Sequence, residues 1–231
     1  MPLKRADLAL TEQPVSFEIH LTALGAADAD TRRRAASALG HHEALDGADA
    51  RILAALAAQL HAEPDTFARE AMFAAIGNLG GGVAAALLGP FLRLDDAALR
   101  NGAVETLKHL GEDAVPAVDA LLTDPDPDVR LLAIEVLRGW PPALVMPRLR
   151  ALLAAETHVN VMGVALDVAA AAGDAALLPA LEAARTRFAD NAFIAFAVTV
   201  VMDKLPAPPA AAPAAQGSKK STPNKSRKPA P

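Results

Sequence analysis

One spacing recurs along the chain and restricts what it can fold into. An Asp is followed four residues on by Arg, three further by a small residue, and then by a pair of apolar positions. Asp28 and Arg32 lead to Ala35, Ala38 and Leu39, and Asp65 and Arg69 lead to Met72, Ala75 and Ile76. Asp96 and Arg100 lead to Ala103, Thr106 and Leu107, and Asp126 and Arg130 lead to Ala133, Val136 and Leu137. A fifth copy has His158 and Met162 at the two polar places but keeps Ala165, Val168 and Ala169. A sixth has Asp190 and Ile194 before Ala197, Val200 and Val201. The leading positions lie 37, 31, 30, 32 and 32 residues apart. A sustained period of this length is the signature of stacked supersecondary units.

The physics of each copy is local. The Asp stands where a helix needs an N-cap to accept a bond from an orphan backbone N–H. Asp124-Pro125-Asp126-Pro127-Asp128 is the clearest case, because proline suits the first helical turn. The small and apolar residues return at i, i+3 and i+7 and so share one face. Gly40, Gly77 and Gly111 are expected to close helices. A second apolar segment follows each closing turn, at 52–60, 83–94, 114–122, 144–153 and 176–184, with Pro116, Pro147 and Pro179 near three of the starts. Residues 15–24 read as the partner helix of the first copy. Each unit is thus helix–turn–helix, about 31 residues long. None can bury its apolar face alone, and stacking gives a continuous core. Composition agrees: 56 Ala and 32 Leu among 231 residues, with no Cys and no Tyr, exclude an all-β or disulfide-framed protein. The expected fold is all-α, an α-solenoid of about six such units over 15–205, after a leader at 1–14 and before a Pro/Ala/Lys-rich tail at 206–231 that cannot form a core.

The string Val115-Pro116-Ala117-Val118-Asp119-Ala120-Leu121-Leu122, then Asp124 through Asp128, then Val129-Arg130-Leu131-Leu132-Ala133 resembles a HEAT repeat. The short unit is similar, more narrowly, to the HEAT-like repeats named after phycobilisome lyases. The resemblance spans roughly residues 15–205. It implies an armadillo-type solenoid and a ladder in which Asp28, Arg32, Asp65, Arg69, Asp96, Arg100, Asp126 and Arg130 cap helices and link neighbouring units. It does not select a function, because this superfamily spans scaffolds, lyase subunits, a hydroxylase and a DNA glycosylase.

Charge and residue type sort those functions. Residues 1–215 carry 17 basic and 27 acidic side chains, a net of −10, whereas Lys219, Lys220, Lys225, Arg227 and Lys228 make the tail +5. An acidic body repels a phosphate backbone, and Trp140 with seven Phe offers little for base stacking, so a nucleic-acid partner is not expected for the folded part. The basic tip is a candidate contact for an anionic surface. The hydroxylase resemblance implies repeated His-Glu dipeptides for iron, but only His42-Glu43 is present among six histidines. His41 and His109 are equivalent yet two units apart, so no metal is expected. Gly80-Gly81-Gly82 lacks the strand, Lys and spacing of a phosphate loop, and no nucleophile elbow appears, so neither a cofactor nor a catalytic residue is expected. The longest apolar run, 192–202, is too short to span a bilayer. Lys4, Arg5 and Asp7 precede no signal-type apolar core. A bacterial, cytoplasmic protein is expected.

A partner surface is legible from helical geometry. Residues one, five and eight after each Arg position share a stripe that faces away from the core. Glu70, Asn101, Glu105, Lys108, Glu135 and Arg138 fall on it and mix acid, base and amide across adjacent units. The expected function is a non-catalytic scaffold, adaptor or regulatory subunit that binds a protein partner along the concave face. The alternative, implied by the repeat resemblance, is a subunit of a bilin lyase-type enzyme.

Overall fold

The computed structural model describes residues 17–41 and 48–206. They form six antiparallel helix pairs. These are α1 (Phe17–Ala23) with α2 (Ala29–Leu39), α3 (Ala48–Ala62) with α4 (Thr66–Leu79), and α5 (Gly81–Leu88) with α6 (Ala97–Leu110). They continue as α7 (Val115–Leu121) with α8 (Pro127–Leu137), α9 (Pro142–Ala155) with α10 (Val159–Ala172), and α11 (Leu178–Arg187) with α12 (Ala192–Lys204). Short 3-10 turns extend α5 and introduce α7 and α11. No strand occurs among the described residues, and none of their helices is long and apolar enough to cross a membrane.

The pairing sets the phase of the repeat. Each Arg-position helix packs on the helix before it, so the Asp marks the turn inside a pair rather than the start of one. The expected count of about six units stands, and α12 completes the last pair. The N-caps show how that turn is made. Asp28, Asp65, Asp96 and Asp126 all have extended backbone and accept from N–H groups at Thr31, Ala68, Ala98 with Leu99, and Asp128, at 2.8–3.2 Å. His158 holds the fifth cap position without a side-chain cap bond.

Three local expectations move. In the sixth copy Asn191, not Asp190, caps the helix, accepting from the Ile194 N–H at 3.0 Å. Asn caps as well as Asp, and this register sends Ile194 and Val198 into the core while Ala197 is only half-buried. Gly77 lies inside α4, and Gly80, with φ 68°, closes it instead. Pro147 also sits inside its helix, because α9 already begins at Pro142, a residue pre-set for a first turn.

Two layers result. Helices α2, α4, α6, α8, α10 and α12 pack in succession, and α3, α5 and α7, then α9 and α11, back them. Fully buried Met72, Ala103, Ala133 and Ala165 stack along the first layer. Small residues bring the backbones close: a Cβ on Gly40 would lie 2.6 Å from the Ala75 Cα. The second layer is loosest between α7 and α9, where a groove opens.

Candidate partner-binding surface

The regular Arg residues face the turns, not solvent. Arg32 Nη1 donates to the carbonyls of Ala26 and Ala27, Arg100 Nη1 to those of Leu94 and Asp95, and Arg130 Nη1 to those of Asp124 and Pro125. Arg69 reaches the Glu63 carbonyl through Nε. These are the two residues before each cap, where the preceding helix has ended and its carbonyls lack intrahelical donors.

Links to the next pair are uneven. Arg32 makes a bidentate pair with Glu63, both bonds 2.6 Å, and Arg130 does the same with Glu156 at 2.8 and 3.0 Å. Arg69 instead meets the Asp96 cap at 2.9 Å. Arg93 pairs with Asp124. Glu63, Asp124 and Glu156 each stand two residues before a cap and are buried. The Arg32 bond and the Asp65 N–H hold the Glu63 carboxyl below its ordinary range, against the opposing effect of burial. For Glu156, burial pushes upward most strongly, yet Arg130 and the N–H groups of His158 and Thr157 together bring it below the ordinary value. Glu63 and Glu156 were not singled out from sequence, although the offset from the cap that they share with Asp124 was the available signal. At Met162, where no Arg is present, Arg187 at the end of α11 donates to the carbonyls of Leu153, Ala154 and Glu156.

The six stripe residues lie on the Arg-bearing layer. Glu70 is on α4, Asn101, Glu105 and Lys108 on α6, Glu135 on α8, and Arg138 just beyond it. Glu70, Asn101, Glu105 and Arg138 are exposed, while Lys108 and Glu135 are half-buried. Two short pairs form within a helix turn, Lys108 to Glu105 at 2.7 Å and Arg138 to Glu135 at 2.9 Å. The Lys108 stem lies across Gly139, whose missing side chain would meet it at about 3.0 Å.

Only part of the stripe converges. Glu70 and Glu105 rim a groove of about 380 Å³ between α4 and α6, floored by Phe73, Ala74, Gly77 and Gly102, with Asn78 and His109 at its side. Gly102 makes the floor possible, since a Cβ there would sit 2.2 Å from the Phe73 ring. Phe73, Gly102 and His109 were not anticipated as groove residues. Arg138 instead borders a smaller hollow of about 280 Å³ beside Trp140, Val145 and Val168. The Trp140 Nε1 there is sealed from solvent and without a partner among the described residues. A larger groove, about 680 Å³, was not foreseen: it opens in the second layer between α7 and α9, over Leu122, Pro147 and Leu152. Asp119 and Arg148 rim it as an ion pair at 2.7 Å.

Among the histidines, His61 stacks on Phe91 at 4.4 Å, and His41 Nδ1 lies 2.7 Å from the Ser37 carbonyl. His42, Glu43, the leader and the tail from 207 lie outside the described residues.

No family model matches the chain, and no curated protein matches it. Among solved structures it is similar to an archaeal HEAT-like repeats protein from Thermococcus onnurineus, with 18% identity over 81% of this chain and 86% of that one, at a TM-score of 0.41. A designed armadillo repeat protein matches at 15% identity over 82% of this chain and 100% of its own, TM-score 0.39. The complex of CpcE and CpcF of phycocyanin lyase from Nostoc sp. matches at 21% identity over 89% and 100%, TM-score 0.35. With every score below 0.5, the solenoid architecture stands on the pairing of the chain's own helices.

Proposed function

We propose that this protein is a non-catalytic interaction module that holds a segment of a protein partner against its Arg-bearing helix layer. The observation that carries the reading is the groove between α4 and α6: an apolar floor over Phe73 and Gly102 with Glu70 and Glu105 at the rim. Such a site offers apolar burial for a side-chain stem and negative charge for its tip. The first layer packs without a break while the second opens between α7 and α9. An unbroken first layer opposite an opened second one supports a curvature toward the Arg-bearing side, and such curvature makes an extended binding surface.

The test is affinity purification of the full chain with mass spectrometry, repeated with Glu70→Lys/Glu105→Lys. Both side chains are exposed, so circular dichroism should match that of the parent. Loss of the recovered partner in the folded variant is the expected result. Unchanged recovery removes this groove from the function.

A further inference from the structure

The last helix carries a face that the solenoid leaves open. Helix α12 buries Ile194, Val198 and Val201 against α10 and α11. Phe193 and Phe196 point the other way, each 69% exposed. Phe193, Phe196 and Val200 recur at three- and four-residue spacing and form one apolar stripe with Thr199 beside it. An uncovered outer face of a solenoid is expected to be polar, and that of the last described unit presents two of the chain's seven Phe. A contiguous exposed apolar face marks an interaction surface.

Chemistry selects the occupant. The chain that follows, residues 207–231, contains no apolar side chain larger than proline, so it has nothing to set against two phenyl rings. Helix α1 lies at the opposite end of the described stack from α12. A second α12 does fit. Laid antiparallel about an axis between Phe196 and Ala197, each Phe196 lies next to the axis, beside its counterpart in the other copy. Phe193 then falls beside the other copy's Val200. Lys204, four residues beyond Val200 on the same stripe, comes within one residue of the other copy's Asp190, both exposed, with Asp203 at its side. The two helix dipoles oppose as well. Four rings at 69% exposure offer roughly 550 Å² of apolar surface, taking about 200 Å² per ring. A specific interface needs about 1,000 Å² in total, and the flanking Ala192, Thr199 and Val200 on both copies add to it.

We propose that the chain forms an isologous dimer through the outer faces of α12 in two copies. This surface is distinct from the α4–α6 groove and does not depend on it. The measurement is sedimentation equilibrium of the full chain from about 5 to 200 µM, with a dissociation constant expected in the micromolar range for so small a contact. The expected mass is twice 23.8 kDa at the upper end. Phe193→Lys/Phe196→Lys should sediment as a monomer with unchanged circular dichroism, since neither ring supports the core. Asp190→Lys should weaken the dimer roughly tenfold, and Asp190→Lys/Lys204→Asp should restore it. A monomer at 200 µM overturns the proposal. A dimer that survives the double Phe substitution, or that is lost on removing residues 1–16, also overturns it. So does a ladder of higher oligomers, the result expected if α12 met exposed Ile19 on α1 head to tail.

Discussion

At the scale of single residues, burial separates charges that hold the fold from charges that decorate it. Glu63 is wholly buried and receives three N–H bonds, two from Arg32 and one from Asp65. Glu63→Gln leaves the Arg32 guanidinium facing a neutral amide in a closed site, so a loss of about 3 kcal/mol is expected in urea unfolding. Glu105→Gln, which breaks only an exposed pair, should change stability by less than about 0.5 kcal/mol. The same carboxyl sets a pH dependence. Bonded to Arg32, Glu63 ionises below its unfolded value of about 4.3. Its contribution is therefore complete above about pH 5 and is lost as pH falls through the lowered native value. Melting temperature should drop less steeply below about pH 4.5 in Glu63→Gln than in the parent chain. Two glycines make a matched pair. Gly40→Ala would press a methyl onto the Ala75 backbone and should cost about 1–3 kcal/mol. Gly163, inside α10 with open space around it, should gain about 0.5–1 kcal/mol as Ala.

At the scale of helices, the Asp signal was legible because an N-cap acts within three residues of its own sequence. Its effect is the same in any tertiary setting. The cap shift to Asn191 was not legible, since Asp190 and Asn191 are equally good caps and only the burial of Ile194 and Val198 chooses between them. The end of α9 illustrates longer reach. Arg187 comes from more than 30 residues away to bind three carbonyls at the end of α9, and no local rule relates it to them. Arg187→Ala should raise amide hydrogen exchange around residues 154–158 and leave α4 unaffected. Equal protection there would mean that solvent replaces the guanidinium without loss.

At the scale of the molecule, each described pair packs chiefly on its neighbours, so stability is approximately a sum of unit and interface terms. Hydrogen exchange at concentrations where the chain is monomeric should protect α6 and α8 most and α1 and α12 least. Uniform protection along the stack would contradict that nearest-neighbour arrangement. The candidate binding surface is partly legible in the sequence. Helical spacing placed Glu70, Asn101, Glu105, Glu135 and Arg138 on one layer, because side-chain direction follows from position in a helix. It did not show that Glu70 and Glu105 share a groove while Arg138 borders another. That outcome rests on Gly102 admitting the Phe73 ring between α4 and α6.

Local periodicity was enough to establish helices, their caps, the period of the repeat and the core stripe. Each of these depends on residues within one or two turns of one another. Packing between pairs decided the rest. It decided which helix partners which, because an Arg helix can close against either neighbour until the turns are built. It decided that Glu63 and Glu156 receive the Arg residues, because two groups about 30 residues apart meet only when pairs stack. It also decided which face of α12, the last described helix, is covered: α10 and α11 bury the inner one, and the outer one leaves Phe193 and Phe196 exposed.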